Sequence, residues 1–336
     1  MEGVALNTAQ LPMQRMGWMD LLRGGAVLLV VVWHVVSVPS LYTGSEPSGV
    51  VGAFNNALSP FRIPTLLVLS GLLLERSLSK GATRYVAGKL RHIAWPYALW
   101  CVLITAASGS LASLTSPWFW LGGNILWYLA VLLFCYAAAL LRPRWLPWGV
   151  CVVAPLVLLW VVEPGTNAVN RFLWFGAFFF LGATLKNHLE TLQRRVPRWT
   201  VALLVILALL GGAAVALGSV RQQTPAFFLI SAAGILAVLW FAPRAPRSNI
   251  TRVLEWYGRN SIVVYVAHAL AMFATMTGLE AIGATESAAV LPLMIVVGFG
   301  LPIVLILVRD RVAWLFALPE PRTSTTPLNR SKAAGA

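Results

Sequence analysis

The chain has 336 residues, of which 59% are hydrophobic and only 11% charged, with 25 basic against 11 acidic side chains and a net charge of +14. A soluble protein carries about 25% charged residues, so these proportions exclude a water-facing globular domain. Ten helices of about 20 residues would consume about 200 positions and leave no loop long enough to hold a separate catalytic domain.

Apolar runs at about 24–40, 57–75, 93–110, 123–141, 146–162, 172–186, 199–219, 225–242, 261–278 and 288–308 predict an all-α fold, a polytopic integral membrane bundle of about ten transmembrane helices. An even number puts both termini on one side. Taking that side as cytoplasmic places 22 of the 25 basic residues inside, segment by segment, and leaves Arg62, Arg171 and Arg221 outside. The positive-inside rule therefore accounts for most of the net charge, and nucleic acid has no part in it. The expected organisation is a mobile arm over 1–14, a membrane domain over 15–318 and a disordered cytoplasmic tail rich in Pro, Ser and Thr over 319–336. Residues 1–14 lack a basic stretch followed by an apolar core and a cleavage site, so the first span is expected to be an uncleaved anchor in the inner (plasma) membrane. Cys101, Cys135 and Cys151 all fall in apolar spans without metal-ligand spacing, which predicts packing roles and no metal.

The first span opens with Asp20, Leu22, Arg23, Gly24 and Gly25 and then runs apolar to Trp33 and His34. Charged groups inside a span are costly, so each requires a partner or a task. Arg23 and His34 are eleven residues apart, three helical turns plus about 20° and about 16 Å along the axis, so they share one face at two depths. Asp20 precedes Arg23 by three positions and can hold its guanidinium. The stripe Asp20, Arg23, Val27, Val31 and His34 is expected to face the bundle interior. These groups read either as interfacial anchors and a structural imidazole or as a reactive site: an imidazole out of water stays neutral and is ready to accept a proton from a hydroxyl.

These residues resemble the opening of the membrane acyltransferase-3 family, an Asp-x-Leu-Arg-Gly run with an Arg followed eleven positions on by His. Other landmarks of that family follow in order: Phe61-Arg62-Ile63-Pro64 through Ser70-Gly71, a basic stretch ending Arg91-His92-Ile93-Ala94-Trp95-Pro96-Tyr97, Trp127-Tyr128-Leu129, and Gly258-x-Asn260-Ser261 through Tyr265-x-x-His268. The likeness covers about residues 15 to 308 and is greatest to the short branch similar to fucose 4-O-acetylases; Leu66 and Leu67 depart from it, replacing two usual aromatics. The resemblance implies O-acyl transfer from acyl-CoA, acetyl-CoA foremost, to a hydroxyl of a sugar, envelope glycan or secreted small molecule, with His34 as catalytic base supported by Asp20 and Arg23.

The donor is rich in phosphate and cytoplasmic, so its site needs fixed positive charge at the inner face. Arg23, Arg84, Lys89 and Arg91 are the candidates. On the acceptor side stand Arg62, read as the outer end of the second span and either a headgroup anchor or a gating group, then Trp127 and Tyr128, which could stack on a sugar, and Tyr265 and His268, three apart on one face. Gly258 is expected to make a turn and Asn260 or Ser261 to cap the ninth span. Ser70 and Gly71 permit a close helix crossing. An alternative class, a transporter or flippase of a lipid-linked sugar, would use the same His and Arg as a relay.

Overall fold

A computed structural model describes residues 16–45, 49–161, 168–220 and 222–319. The arm over 1–14 and all of the tail beyond Pro319 lie outside the described residues, as does Arg221. Among the described residues there is no strand; in chain order the helices are α1 (Gly17–Thr43), α2 (Gly49–Leu72), α3 (Leu74–Leu78), α4 (Ala82–Lys89), α5 (Trp95–Ala107), α6 (Pro117–Trp120), α7 (Trp127–Leu141) and α8 (Trp148–Val161). They continue as α9 (Ala168–Leu185), α10 (Leu189–Arg195), α11 (Arg198–Ala216), α12 (Pro225–Phe241), α13 (Asn249–Arg259), α14 (Ser261–Ala281) and α15 (Val290–Leu307). A single π-helical turn, Leu90–Ala94, joins α4 to α5.

Six stretches are long and apolar enough to cross a membrane: Gly17–Thr43, Ala168–Arg195, Arg198–Ala216, Pro225–Arg244, Ser261–Ala281 and Val290–Leu307. The other four segments read as spans are helical but fall short of that measure. Helices α5, α7 and α8 are short, at 13, 15 and 14 residues. Helix α2 has 24 residues, but Asn55, Asn56, Ser59 and Arg62 interrupt its apolar surface.

The buried interior is built mainly by α1, α2, α7, α9 and α14, whose Val31, Leu67, Leu129, Phe179 and Val266 are all at most 1% exposed. Large apolar side chains cover the outside as well, among them Trp160, Leu210, Val296 and Leu307. An apolar exterior around an apolar core suits hydrocarbon on the outside, where helices satisfy most of their own backbone polar groups.

Two backbone-to-backbone crossings position the site. A Cβ on Gly24 would lie 1.9 Å from the Leu254 carbonyl oxygen, and one on Gly258 would lie 1.8 Å from that of Asp20, so α1 and α13 touch through paired glycines. Gly258 is thus a buried helical contact and makes no turn. The chain turns at Asn260, which does not cap α14 through its side chain: Nδ2 donates to Trp256 O at 2.9 Å, and Oδ1 accepts from Arg309 Nη1 at 2.9 Å. The second crossing joins α2 to α9, where Gly71 meets Phe179 O at 1.9 Å and Gly182 meets Val68 O at 2.1 Å. The close approach expected of Ser70 and Gly71 is present.

Candidate active site

Helix α1 presents Asp20, Val27 and Val31 fully to the interior, with Arg23 and His34 half-buried on the same stripe. Arg23 Nη1 lies 3.8 Å from Asp20 Oδ1 one turn earlier, and the Asp20 side chain is only 3% exposed. Three turns further, His34 Nδ1 is 2.9 Å from its own helical carbonyl at Val30 and 3.2 Å from His268 Nε2. His268, on α14 and 1% exposed, places its Nδ1 2.9 Å from Val264 O.

These partners assign the tautomers. A carbonyl only accepts, so each neutral imidazole carries its hydrogen on Nδ1. His268 Nε2 is then a lone pair that shares the His34 Nδ1 hydrogen with Val30 O. Among the described residues the arrangement leaves His34 Nε2 a lone pair without a hydrogen-bond donor, and an imidazolium formed there would keep two acceptors on Nδ1.

His34 stands between two cavities. The smaller, about 270 Å³, is lined by Trp33, His34, Asn56, Ser59, Arg62, Trp127, Phe175, Gln222 and Tyr265 among others. The larger, about 550 Å³, runs from Trp33 and His34 past Ser37, Asn124, Trp127 and Arg171 toward the 108–113 turn. The structure therefore brings His34, Arg62, Trp127 and Tyr265 to one space. Tyr128 and His268 stand one layer back, Tyr128 edge-on to Tyr265 at 5.2 Å between ring centroids.

Arg62 is not at the end of its helix. It sits in the middle of α2, 6% exposed, because the helix continues outward through polar residues that an apolar-run reading leaves out. Its Nη1 reaches Asn55 Oδ1 and Leu29 O at 3.4 Å each, and its guanidinium lies 5.2 Å from the Trp33 ring centroid. Among the described residues no carboxylate comes within ion-pair distance of it. Asn56, Ser59 and Gln222 were not singled out from sequence; the Ser59 hydroxyl donates to Gln222 Oε1 at 2.8 Å. Arg171, noted in the sequence only as an outside cation and given no site role, donates to Gly122 O at 2.7 Å and lies 5.3 Å from the Trp127 ring. The signal available for all four was polarity within or beside an apolar run.

The basic candidates around α4 and the π turn separate. Arg84 is exposed on α4, whereas Lys89 is half-buried with its ammonium 3.6 Å from the Tyr136 ring centroid. Burial draws the Lys89 amine down to about 8, with the charge of Lys80 adding to it. His92 is held below the ordinary imidazole value by desolvation first and then by the positive charges of Arg91, Lys89 and Arg309. Three cations thus converge on the π turn. Arg309 was not a candidate from sequence, and it arrives there from the far end of α15. The segment after it is fastened to the same place, since Trp95 Nε1 donates to Trp314 O at 2.7 Å and Trp100 Nε1 to Leu315 O at 2.8 Å. The three cysteines are free; Cys101 and Cys135 are buried and Cys151 half-buried. Among the described residues no three His, Cys, Asp or Glu side chains are grouped to hold a metal.

A bundle of membrane-capable helices enclosing an imidazole pair and a guanidinium with no carboxylate at ion-pair distance among the described residues defines a multi-pass membrane protein with an internal polar site. The chain belongs to the acyltransferase-3 family, whose model, described as an acyltransferase domain, matches residues 16–309. Membership implies acyltransferase activity. Neither the curated proteins nor the solved structures contain a match to it.

Proposed function

We propose that this protein is an integral membrane O-acyltransferase, spanning the inner membrane with both termini cytoplasmic, that transfers an acyl group, acetyl foremost, from acyl-CoA to a hydroxyl of a sugar, envelope glycan or secreted small molecule. The observation that carries this reading is the free Nε2 of His34 on the wall of a polar cavity, in a chain of this family. His34 Nε2 takes the proton of the acceptor hydroxyl while that oxygen bonds to the thioester carbonyl carbon. The tetrahedral adduct collapses, the carbon–sulfur bond breaks, and the imidazolium returns its proton to the departing sulfur. The products are an ester and free coenzyme A, with no change of oxidation state.

Arg23, Arg84, Lys89 and Arg91 supply charge for the donor phosphates at the inner face, and the pantetheine arm bridges the three helical turns from Arg23 to His34. Asp20 anchors Arg23. Arg62, Trp127 and Tyr265 contact the acceptor, with Tyr128 and His268 supporting Tyr265 and His34. The test is acceptor-dependent release of free coenzyme A from acetyl-CoA by the purified protein. Full transfer by a His34→Ala variant would overturn the mechanism.

A further inference from the structure

A third, larger hollow of about 730 Å³ lies between α1, α2, α11, α12 and α13. Leu22, Leu29, Phe61, Ala208 and Val238 are typical of its walls, and among the described residues Arg62, Thr65 and Arg244 alone bring polar side chains to it. It opens sideways, because lining residues Leu209, Val238 and Phe241 are 68%, 38% and 49% exposed on the apolar exterior. Two of its three polar groups are already engaged. The Thr65 hydroxyl donates to Phe61 O at 2.6 Å, and Arg244 donates to Trp240 O at 2.6 Å and to Gln193 O while stacking on the Trp240 ring at 3.8 Å.

Arg62 is the exception, and it lines both this groove and the cavity that holds His34. A plain hydrocarbon passing from one space to the other would press against a desolvated guanidinium that has only two long hydrogen bonds to neutral groups, which is unfavourable. An anion at that point would satisfy it, and Arg is the side chain best suited to phosphate. The groove, the cation and the reactive imidazole therefore follow one another in the order tail, phosphate, hydroxyl. We propose that the groove between α1, α2, α11 and α12 holds the hydrocarbon tail of an anionic lipid, that Arg62 takes its phosphate, and that the head group so placed presents its hydroxyl to His34. The acceptor is then a phosphate-linked amphiphile drawn sideways from the bilayer; this identification of its class rests on the acyltransferase reading.

The test uses the full-length protein in phosphatidylcholine nanodiscs carrying phosphatidylglycerol with a photoreactive diazirine in its acyl chain, with cross-links mapped by peptide mass spectrometry. Labelling is expected to concentrate on the groove faces of α2, α11 and α12 over the exposed faces of α8 and α15. Arg62→Gln should reduce it about tenfold while Arg62→Lys retains most of it. Gly25 lines the groove and a Cβ there meets nothing within 4 Å, so Gly25→Leu should fill the space without displacing a neighbour and reduce labelling by a similar factor. Gly149→Leu, equally free of neighbours on α8, should leave labelling unchanged. Equal groove labelling by diazirine phosphatidylcholine, no loss in Gly25→Leu, or displacement by free glycerol phosphate would overturn the proposal; Gly25→Leu decides it if Arg62→Gln does not fold. Cross-linking reads occupancy alone. Groove labelling without any acyl transfer would defeat the activity and keep the lipid site, whereas acetyl transfer to a water-soluble acceptor without groove labelling would do the reverse.

Discussion

His268 Nε2 stands 3.2 Å from His34 Nδ1, joining two imidazoles 234 positions apart in the chain. The contact makes His268 a second acceptor for the one hydrogen that fixes the tautomer of His34, and among the described residues Nε2 of this cavity-lining imidazole has no hydrogen-bond partner.

His34→Ala is therefore expected to lower kcat by ~10²–10⁴-fold, the range for loss of a general base. His268 acts through His34, so His268→Ala should lower kcat with little change in the KM of either substrate. His268→Gln, which restores an acceptor oxygen, should recover part of the loss. Steady-state kinetics on the three variants checks this, and equal losses for Ala and Gln would deny His268 its positioning role.

The paired glycines at the crossing of α1 and α13 leave no room for a methyl group. Gly24→Ala and Gly258→Ala are each expected to cost more than the ~1–3 kcal/mol of ordinary overpacking, because the obstacle is backbone on both sides. Gly25→Ala, one residue on and facing open space, should be neutral or stabilise by up to ~1 kcal/mol through helix propensity. Thermal unfolding of the purified variants, with size-exclusion profiles after heating, separates the two outcomes.

Lys89 loses its charge as pH rises through about 8. Its value in the folded protein lies below its ordinary 10.5, so between these limits the unfolded chain binds the extra proton and the penalty on folding eases as pH rises. On the proposed reading, the same titration removes a cation from the donor site. Donor KM is expected to climb severalfold between about pH 7 and about pH 9, and Lys89→Arg, which stays charged throughout, should flatten the climb. An identical rise in Lys89→Arg would take Lys89 out of the donor site.

Arg309 joins Arg91 and Lys89 around His92. Arg309→Gln is expected to raise donor KM about three- to tenfold, the scale of one charge-assisted contact, with acceptor KM unaffected. Arg311→Gln, two residues away and exposed, should change neither. Initial rates at varied acetyl-CoA decide between these outcomes.

Much of the site on α1 was legible before folding. A helix repeats its faces every 3.6 residues, so Asp20, Arg23 and His34 had to share a stripe wherever the helix was placed. Each of the ten apolar runs likewise falls on helix, although only six are long and apolar enough to cross a membrane: α5, α7 and α8 are shorter than a span and α2 is more polar. Arg62 was found but misplaced in depth. Its helix extends outward through Asn55, Asn56 and Ser59, and these face neighbouring helices and the cavity, where polarity is tolerated, rather than lipid. Gly258 was found and given the wrong task, since a glycine in a sequence does not reveal whether it serves a turn or a crossing.

The sequence by itself determined that this is an apolar helical protein whose basic residues gather between its apolar runs, and that a handful of ionisable groups fall within those runs. Those properties are local: they follow from hydropathy, charge and helical period along one stretch of chain. Only the tertiary structure decided that His268 meets His34, that Arg309 joins Arg91 and Lys89 around His92, and that Arg62 is shared between a polar cavity and an apolar groove. Each of these joins residues on different helices, and which helix faces lie together is set by packing contacts such as the glycine crossings, which leave no periodic trace in the chain.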